Sequence, residues 1–321
     1  MVYFYGRFSM NDILKAGDIV AFKAGNDWLS KAIAWFTQTD VSHTAMAYLE
    51  DSIVEMGAYG IGVHKIDISG GDSVYVMRLT SILDAAPLIR SADAYINTKI
   101  RYDFPALFIL AGLLIYKRIV PTSPLLKITN LILSSACTAL DKMLNNILYQ
   151  SSAPTMICSQ LVYQIYYDCG SEYRILIENG CVFNSPIEEG TPNSVRLIDL
   201  VDSGNHPAQP AILISSPLEN IAMFDTIMKE FYELLCSSEQ DAGDNRTLID
   251  ISAREMDNTL ALTARFLDLV ERLLEITGYD MPPESLFVTP GDLVYHALNL
   301  ENKGTVNLQR LLVAKDFIFK N

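Results

Sequence analysis

Cys158 stands in the segment PTMICSQLVYQIYYDCG, directly ahead of an apolar pattern with helical spacing. A thiol is a nucleophile only as the thiolate, and a helix N-terminus or a neighbouring imidazolium lowers its pKa from about 8.5. The predicted position of Cys158 supplies the first of these. A core role is the alternative, because free cysteine is among the most buried residue types. Core roles are favoured for the other four cysteines, Cys137, Cys169, Cys181 and Cys236.

The chain contains four histidines, so a base for Cys158 can be sought by elimination. His43, in TDVSHTAMAYLE, begins a predicted strand of small apolar residues, where an imidazole needs a hydrogen-bond partner or a chemical task. His64 lies in the exposed-looking GVHKID, His206 in a Pro-rich linker and His296 in a C-terminal helix. His43 is therefore the best-placed base, and a hydrogen-bonded core histidine is the alternative.

Glu55 is a carboxylate in the middle of the apolar strand SIVEMGAYG, and a histidine that acts with a cysteine is usually oriented by a third polar group. His43 and Glu55 share a sheet face only if the connecting loop has an odd number of residues or a bulge intervenes. A three-residue loop, 49–51, places His43 opposite Gly57 with Glu55 one diagonal step away on the same face. A strict two-residue turn would separate them.

Composition limits the classes of partner. Lys and Arg number 24 against 38 Asp and Glu, which gives a formal net charge of -14. Since no Lys/Arg-rich block is present that could follow a phosphate backbone, we predict no nucleic acid partner. The five cysteines show no CxxC spacing, so we predict no disulfide framework, no metal site and no cofactor.

The first twenty residues, MVYFYGRFSMNDILKAGDIV, lack a basic segment followed by an apolar run and a small-residue cleavage site. No secretory signal peptide is therefore predicted. Together with the cysteine usage, this indicates a reducing compartment, and we expect a cytoplasmic protein. Non-classical export and peripheral contact with a membrane surface stay open.

The segment FPALFILAGLLIY, residues 104–116, has thirteen residues without a charge, and the apolar character resumes in LLKITNLILSSACTALDKMLNNILY. Thirteen residues are too few to span about 30 Å of hydrocarbon as a helix. Two interpretations stay open, a buried helix or helical hairpin and a lipid-facing or acyl-chain-binding lid.

Hydrophobic periodicity predicts a strand over 17–25, a helix over 27–38, two strands joined at 49–51 and a further strand over 72–79. The pattern of 81–100 predicts a helix, and Cys158 opens another that stops at Gly170. After a Pro/Gly/Ser-rich stretch the character shifts to long helices over 218–236 and 245–278, with a soft boundary near 204–217.

These residues carry a family resemblance. The order GDIVAF, SHTAMAYLEDSIVEMGAYGIGVHKI, INTKIRYDFPALF, MICSQLVYQIYYDCG and TPNSVRL resembles the circularly permuted NlpC-type papain-like cysteine hydrolases, relatives of the lecithin:retinol acyltransferase group. In that superfamily the His-bearing strand precedes the Cys-bearing helix. The resemblance covers roughly residues 13–200. Two features depart from it, Gln160 where an acidic residue often follows CS, and the apolar insertion.

The resemblance implies an α+β fold, with a permuted papain-like core in which an antiparallel sheet or barrel packs on the Cys-bearing helix. This catalytic domain would cover 1–204, with an apolar helical insertion at about 104–150, and 205–321 would form a mainly helical C-terminal region. Cys158 matches the nucleophile, His43 the general base and Glu55 the orienting residue. The backbone N–H of Cys158 would supply one oxyanion donor, and the second is not identified from the sequence.

Three functions follow as hypotheses. The first is a thiol hydrolase, similar to cysteine peptidases, that cleaves an amide or ester bond in a peptide, cell-wall fragment or acylated protein through a thioester at Cys158. The second is a lipid-directed acyltransferase or acyl hydrolase that uses the apolar insertion. The third is a non-catalytic binding or structural protein on the same fold.

Overall fold

The structure, a computed structural model, describes residues 13–49, 51–57, 59–81, 84–98, 100–102, 111, 123–149, 155–182, 226, 229–230, 233, 253–275 and 283–311. The strands in these residues are β1 (Ile19–Lys23), β2 (Val41–Leu49), β3 (Ser52–Gly57), β4 (Gly60–Leu79), β5 (Arg101–Tyr102), β6 (Thr155–Met156) and β7 (Leu300–Leu311). The α-helices described are α1 (Trp28–Thr37), α2 (Ala86–Ile96), α3 (Ser123–Tyr149), α4 (Cys158–Tyr167), α5 (Ala253–Glu275) and α6 (Asp292–Tyr295). The fold is therefore mixed α+β, as predicted.

The main sheet is antiparallel and closes on itself. Its strands follow the order β1-β2-β3-β4-β7, and β1 pairs with β4 as well as with β2. Closure is possible because β4 is twenty residues long: its first part pairs with β3 and its last part with β1. An irregularity between Asp67 and Asp72 separates these two parts along β7, where a bulge re-aims the strand.

The two faces of this sheet carry different cores because side chains alternate along a strand. One face forms a cluster made almost entirely of strand residues, including Val20, Phe22, Ala45 and Ile53. The opposite face packs against the helices in a larger cluster. His43, two residues from Ala45, belongs by alternation to the strand-only face.

Sequence periodicity predicted most of the early elements, with two differences. The region predicted as the second strand of the hairpin divides into β3 and β4, and the strand predicted over 72–79 is the end of β4. The division occurs where Gly57 pairs with Gly60, and Gly60 has a positive φ of 113°. A glycine adopts this conformation without steric cost, which explains the tight reversal there.

The described part of the apolar insertion is α3, and it packs against α5. Leu140 and Ala136 of α3 share the large core with Phe266 and Val270 of α5, and Arg265 bridges to Asp141 at 2.5 Å between Nη2 and Oδ2. The segment 104–116 lies outside the described residues apart from Ala111, which is buried. Among the described residues, no helix is both long and apolar enough to cross a membrane.

The C-terminal region returns to the sheet, which its helical pattern did not predict. β7 pairs with β4 from Leu79 opposite Leu300 to Lys65 opposite Leu311. The predicted helix over 245–278 is present as α5, whereas the one over 218–236 lies outside the described residues apart from four positions. The predicted boundary near 204–217 lies outside them entirely. The sheet is thus built from residues on both sides of that boundary.

Burial of α3 predicts the effect of truncating its side chains. Leu140→Ala should lower the free energy of unfolding by about 2–5 kcal/mol, because it leaves a cavity between α3 and α5. Leu131→Ala is the matched control, since Leu131 lies on the same helix and is 39% exposed; we expect a loss of about 0.5 kcal/mol or less. Chemical denaturation measures both. Equal losses in the two variants would contradict the burial of Leu140 between α3 and α5.

Candidate active site

Strand β2 extends beyond its partner β3, and this difference makes room for Cys158. In the described residues, β3 pairs only with the part of β2 from Ala45 onward, so 41–44 have no β3 partner. The backbone N–H of Thr44 interacts with the sulfur of Cys158, the first residue of α4. The sequence prediction that a helix begins at Cys158 is confirmed.

The beginning of α4 is fixed by contacts with the C-terminal part of the chain. Ser159 donates a hydrogen bond from its hydroxyl to the Val288 carbonyl at 2.6 Å, and both residues are fully buried. Gln160 donates to the Ser285 hydroxyl at 3.2 Å. Gln160 therefore has a structural role at the beginning of α4. Cys158 itself is buried, with 5% of its surface exposed.

His43 and Glu55 lie on the same face of the sheet and are in contact. Ala45 pairs with Glu55, which places His43 one diagonal step away, and a bulge between Ala47 and Leu49 provides the required parity. Nε2 of His43 lies 2.5 Å from Oε2 of Glu55. Because Glu55 engages Nε2, Nδ1 is the ring nitrogen left for Cys158. The predicted placement of Glu55 on the His43 face is confirmed.

The electrostatics of the site favour a charged pair. Burial opposes the imidazolium of His43, but the adjacent Cys158 and Glu55 outweigh burial and raise the pKa of His43 to about 10. Burial also opposes ionisation of Cys158, yet His43 and the N–H groups of Thr44 and Ser159 lower the pKa of its thiol. Both shifts favour a thiolate–imidazolium pair.

Glu55 is held ionised by more than one basic group. Its side chain is 3% exposed, and burial alone would favour the neutral acid. His43, Arg310 and His64 overcome that burial and lower the pKa of Glu55 to about 2. Nη1 of Arg310 lies 3.1 and 3.2 Å from the two carboxylate oxygens, and Nε2 of His64 lies 3.6 Å from Oε1. The carboxylate therefore has a basic side chain at each oxygen.

Arg310 is a site residue that sequence reasoning missed. It lies on β7, 255 residues from Glu55, in a strand with a mostly exposed, polar pattern. Its guanidinium also lies 4.5 Å from the centre of the Phe22 ring, and that ring packs against His43 at 5.4 Å between ring centres. No local signal in the sequence connects these positions, because the contact depends on the pairing of β7 with β4.

His64 reaches Glu55 because the neighbouring position is a glycine. Gly62 pairs with Glu55, and His64 lies two residues further along β4 on the same face. A Cβ at Gly62 would come within 2.6 Å of Nε2 of His64. The absence of a side chain at Gly62 thus lets the imidazole fold toward the carboxylate. The sequence predicts His64 on an exposed segment, and its side chain is 28% exposed.

The remaining candidates lie elsewhere. Cys137 is buried between α3 and α5, and Cys169 lies just beyond the end of α4. His296 and Cys181 lie near each other in a separate cluster with Asp292. His206 and Cys236 lie outside the described residues. The structure thus brings together the three residues that the sequence predicted, Cys158, His43 and Glu55.

Comparison of the chain with protein-family models, curated proteins and solved structures found no match. Function is therefore inferred from the side chains and their geometry. The arrangement contains a thiol of lowered pKa, an imidazole that can take its proton, and a buried carboxylate that fixes the imidazole. Such a set can perform nucleophilic attack on an acyl carbon.

Cys158 should be alkylated by iodoacetamide at mildly acidic pH ahead of the other cysteines, because only the thiolate reacts. Burial raises the pKa of Cys137 to about 12 and that of Cys169 to about 11, so these thiols should react only in alkaline solution. Mass spectrometry of the labelled peptides as a function of pH measures the order. Equal labelling of all five cysteines, or preferential labelling of Cys236, would count against an activated Cys158.

Glu55→Gln keeps the side-chain volume and removes the charge that stabilises the His43 imidazolium. We expect the pKa of His43 to fall and that of Cys158 to rise, so the pH at which Cys158 is half-maximally alkylated should increase. At a fixed pH below that midpoint, alkylation should slow about tenfold for each unit of the increase. Circular dichroism checks that the variant is folded.

Arg310→Met should shift the alkylation midpoint of Cys158 in the direction opposite to Glu55→Gln. The substitution removes the positive charge beside Glu55 but keeps an apolar side chain against Phe22. The Glu55 carboxylate then stabilises the His43 imidazolium without a competing guanidinium. We expect the alkylation midpoint of Cys158 to move to lower pH. If Glu55→Gln and Arg310→Met shift this midpoint in the same direction, the two side chains do not act through the charge on Glu55.

Proposed function

We propose that the protein is a cysteine hydrolase or acyltransferase that cleaves an amide or ester bond through a thioester at Cys158. The observation that carries the proposal is the contact of the three predicted groups: the thiol beside His43, and His43 held at 2.5 Å by the buried Glu55. This chemistry agrees with the resemblance to permuted NlpC-type papain-like hydrolases, which supplies the expected roles of the residues.

In the first half-reaction, the thiolate of Cys158, whose proton His43 holds, attacks the carbonyl carbon of the substrate. The resulting tetrahedral intermediate collapses, the bond from carbon to the leaving nitrogen or oxygen breaks, and His43 returns the proton to that atom. Water, or another acceptor, then attacks the thioester with His43 again as base. The carboxylic acid or the transferred acyl product leaves, and the Cys158 thiol is restored.

Backbone N–H groups at the beginning of α4 support the charge that develops during this reaction. The N–H of Cys158 is the expected oxyanion donor, and the N–H groups of Thr44 and Ser159 interact with the sulfur. Removal of one oxyanion donor typically costs about 10²–10³ in rate. Because Ser159 is also tied to Val288, the position of these donors depends on the C-terminal part of the chain.

An amide or small ester fits the described part of the site better than a lipid. The lipid hypothesis depends on an apolar surface in the insertion, whereas most of the apolar side chains described on α3 are buried in the large core, with Leu131 an exposed exception. These buried side chains therefore contribute to the core. We propose hydrolysis or transfer of an acyl group on a peptide, cell-wall fragment or acylated protein as the first reaction class to test.

Trapping of the acyl-enzyme tests the proposal. The full-length protein is incubated with p-nitrophenyl acetate and with a panel of peptide p-nitroanilides, and the intact mass is measured after rapid acid quenching. We expect one acyl group on Cys158, released by hydroxylamine as a thioester is. His43→Gln should slow acylation by about 10²-fold or more, since general base catalysis is lost.

Two variants decide the interpretation. Cys158→Ser should abolish the adduct, and Cys169→Ser, which alters a half-buried thiol outside the site, should leave it unchanged. An equal adduct in Cys158→Ser, or no adduct from any donor while iodoacetamide still labels Cys158 selectively, would overturn the enzymatic proposal. The second of these outcomes would favour a non-catalytic binding role.

A further inference from the structure

A second cluster of reactive side chains lies outside the Cys158 site. Cys181, Asp292 and His296 each offer one ligand atom, and these atoms all lie within 4.8 Å of one another. Asp292 begins α6 and His296 directly follows it, while Cys181 lies more than one hundred residues earlier in the chain. The cluster therefore combines a thiol, a carboxylate and an imidazole from two distant segments.

Asp292 is the most constrained member of the cluster. It is fully buried, and no Lys, Arg or His of the described chain forms an ion pair with it. Buried charges in proteins are normally paired or coordinate a metal. An imidazole nitrogen of His296 lies within 4.8 Å of a carboxylate oxygen of Asp292, outside the 4.0 Å of a salt bridge. A metal ion between Asp292 and His296 would compensate the buried carboxylate and would take the imidazole as a ligand.

The hydrogen bonds of Asp292 leave one acceptor position toward the cluster. Oδ2 accepts from the backbone N–H and the hydroxyl of Thr289, both at 2.8 Å. Oδ1 accepts one bond, from the backbone N–H of Cys181 at 2.7 Å. A carboxylate oxygen has two lone pairs, so Oδ1 can take one further partner. The N–H bond also holds Cys181 against the carboxylate.

We propose that Cys181, Asp292 and His296 form a binding site for a zinc ion. Zinc takes thiolate, imidazole and carboxylate ligands at about 2.0–2.3 Å, commonly in tetrahedral geometry. The three ligand atoms must draw somewhat closer together than 4.8 Å to share one ion at those bond lengths. Cys181 and His296 are only half-buried, so their side chains have room for that adjustment.

Binding requires loss of one proton. The thiol of Cys181 donates to the Thr37 carbonyl at 3.4 Å between sulfur and oxygen. On coordination the sulfur–hydrogen bond breaks, the sulfur–zinc bond forms, and the proton passes to solvent, with no change in oxidation state. A water completes the fourth position. An entry path exists, since His296 lines an open cavity of about 910 Å³ together with Trp35, Asp40 and Tyr295.

A bound ion would stabilise the segment that leads into β2. Cys181 contacts Thr37 at the end of α1, and His43 follows Thr37 by six positions in the chain. The ion would thus tie the end of α1 to the C-terminal part of the chain. The zinc proposal does not depend on acyl transfer at Cys158, so either proposal can fail alone.

The test uses the full-length protein, stripped of metal with a chelator and titrated with Zn²⁺ and with Co²⁺ as a spectroscopic substitute. We expect one metal per chain by elemental analysis, a thiolate-to-cobalt charge-transfer band, and an unfolding temperature that rises with Zn²⁺ concentration. Release of about one proton per Zn²⁺ should be seen in weakly buffered solution.

Variants separate this site from the rest of the chain. Cys181→Ser and His296→Ala should remove the charge-transfer band or shift it, and weaken Zn²⁺ binding by about tenfold or more, because each removes a direct ligand. Cys158→Ser and Cys169→Ser should bind Zn²⁺ as the native chain does. Asp292 is left intact because its carboxylate also accepts backbone N–H groups that hold α6.

Three outcomes would overturn the zinc proposal. The first is failure of the folded native chain to bind Zn²⁺ or Co²⁺ at micromolar concentration. The second is the same binding and the same rise in unfolding temperature in Cys181→Ser as in the native chain. The third is loss of binding in Cys158→Ser, which would place the metal at the thiol–imidazole site.

Discussion

The buried negative charge of Glu55 is the constraint on which the sheet and the site depend. A carboxylate that is 3% exposed needs compensation, and it receives it from His43, Arg310 and His64, each on a different strand from Glu55 itself. Four strands therefore meet around one charge. Removing any single basic group leaves part of that charge uncompensated, and leaving a buried charge unpaired costs far more than a surface pair contributes.

The thiol occupies the place where the sheet pairing stops. If β3 continued along the first residues of β2, strand hydrogen bonds would take the N–H of Thr44, and α4 could not approach. The end of β3 and its reversal at Gly60 therefore leave the edge on which Cys158 rests. Ser159 and Gln160 then fix the helix from its other side through Val288 and Ser285. The position of the Cys158 thiol is thus set by the geometry of β2 and α4, and contacts with Ser285 and Val288 hold α4 in place.

Local patterns predicted much of the site and little of what surrounds it. An apolar helical period gave the start of α4 at Cys158, and strand parity gave the shared face of His43 and Glu55, although a bulge rather than a three-residue loop provides that parity. Arg310 could not be predicted, because a polar twelve-residue strand carries no mark of its partner. The full length of β4 was also missed, since Gly70 and Gly71 break the alternating pattern without breaking the strand. The contact of Arg310 and the full length of β4 both depend on the pairing of β4 with β7, and a short stretch of sequence carries no signal of that pairing.

The separation of 255 residues between Glu55 and Arg310 has a consequence for the order of synthesis. At about 5–20 residues per second, a ribosome needs roughly 10–50 s to pass from one to the other. During that interval β2 and β3 can form a hairpin, and among the described basic partners of Glu55 those already made are His43 and His64. The nascent hairpin therefore carries a carboxylate whose guanidinium partner has not yet been synthesised, and the full compensation of its charge waits until β7 pairs with β4.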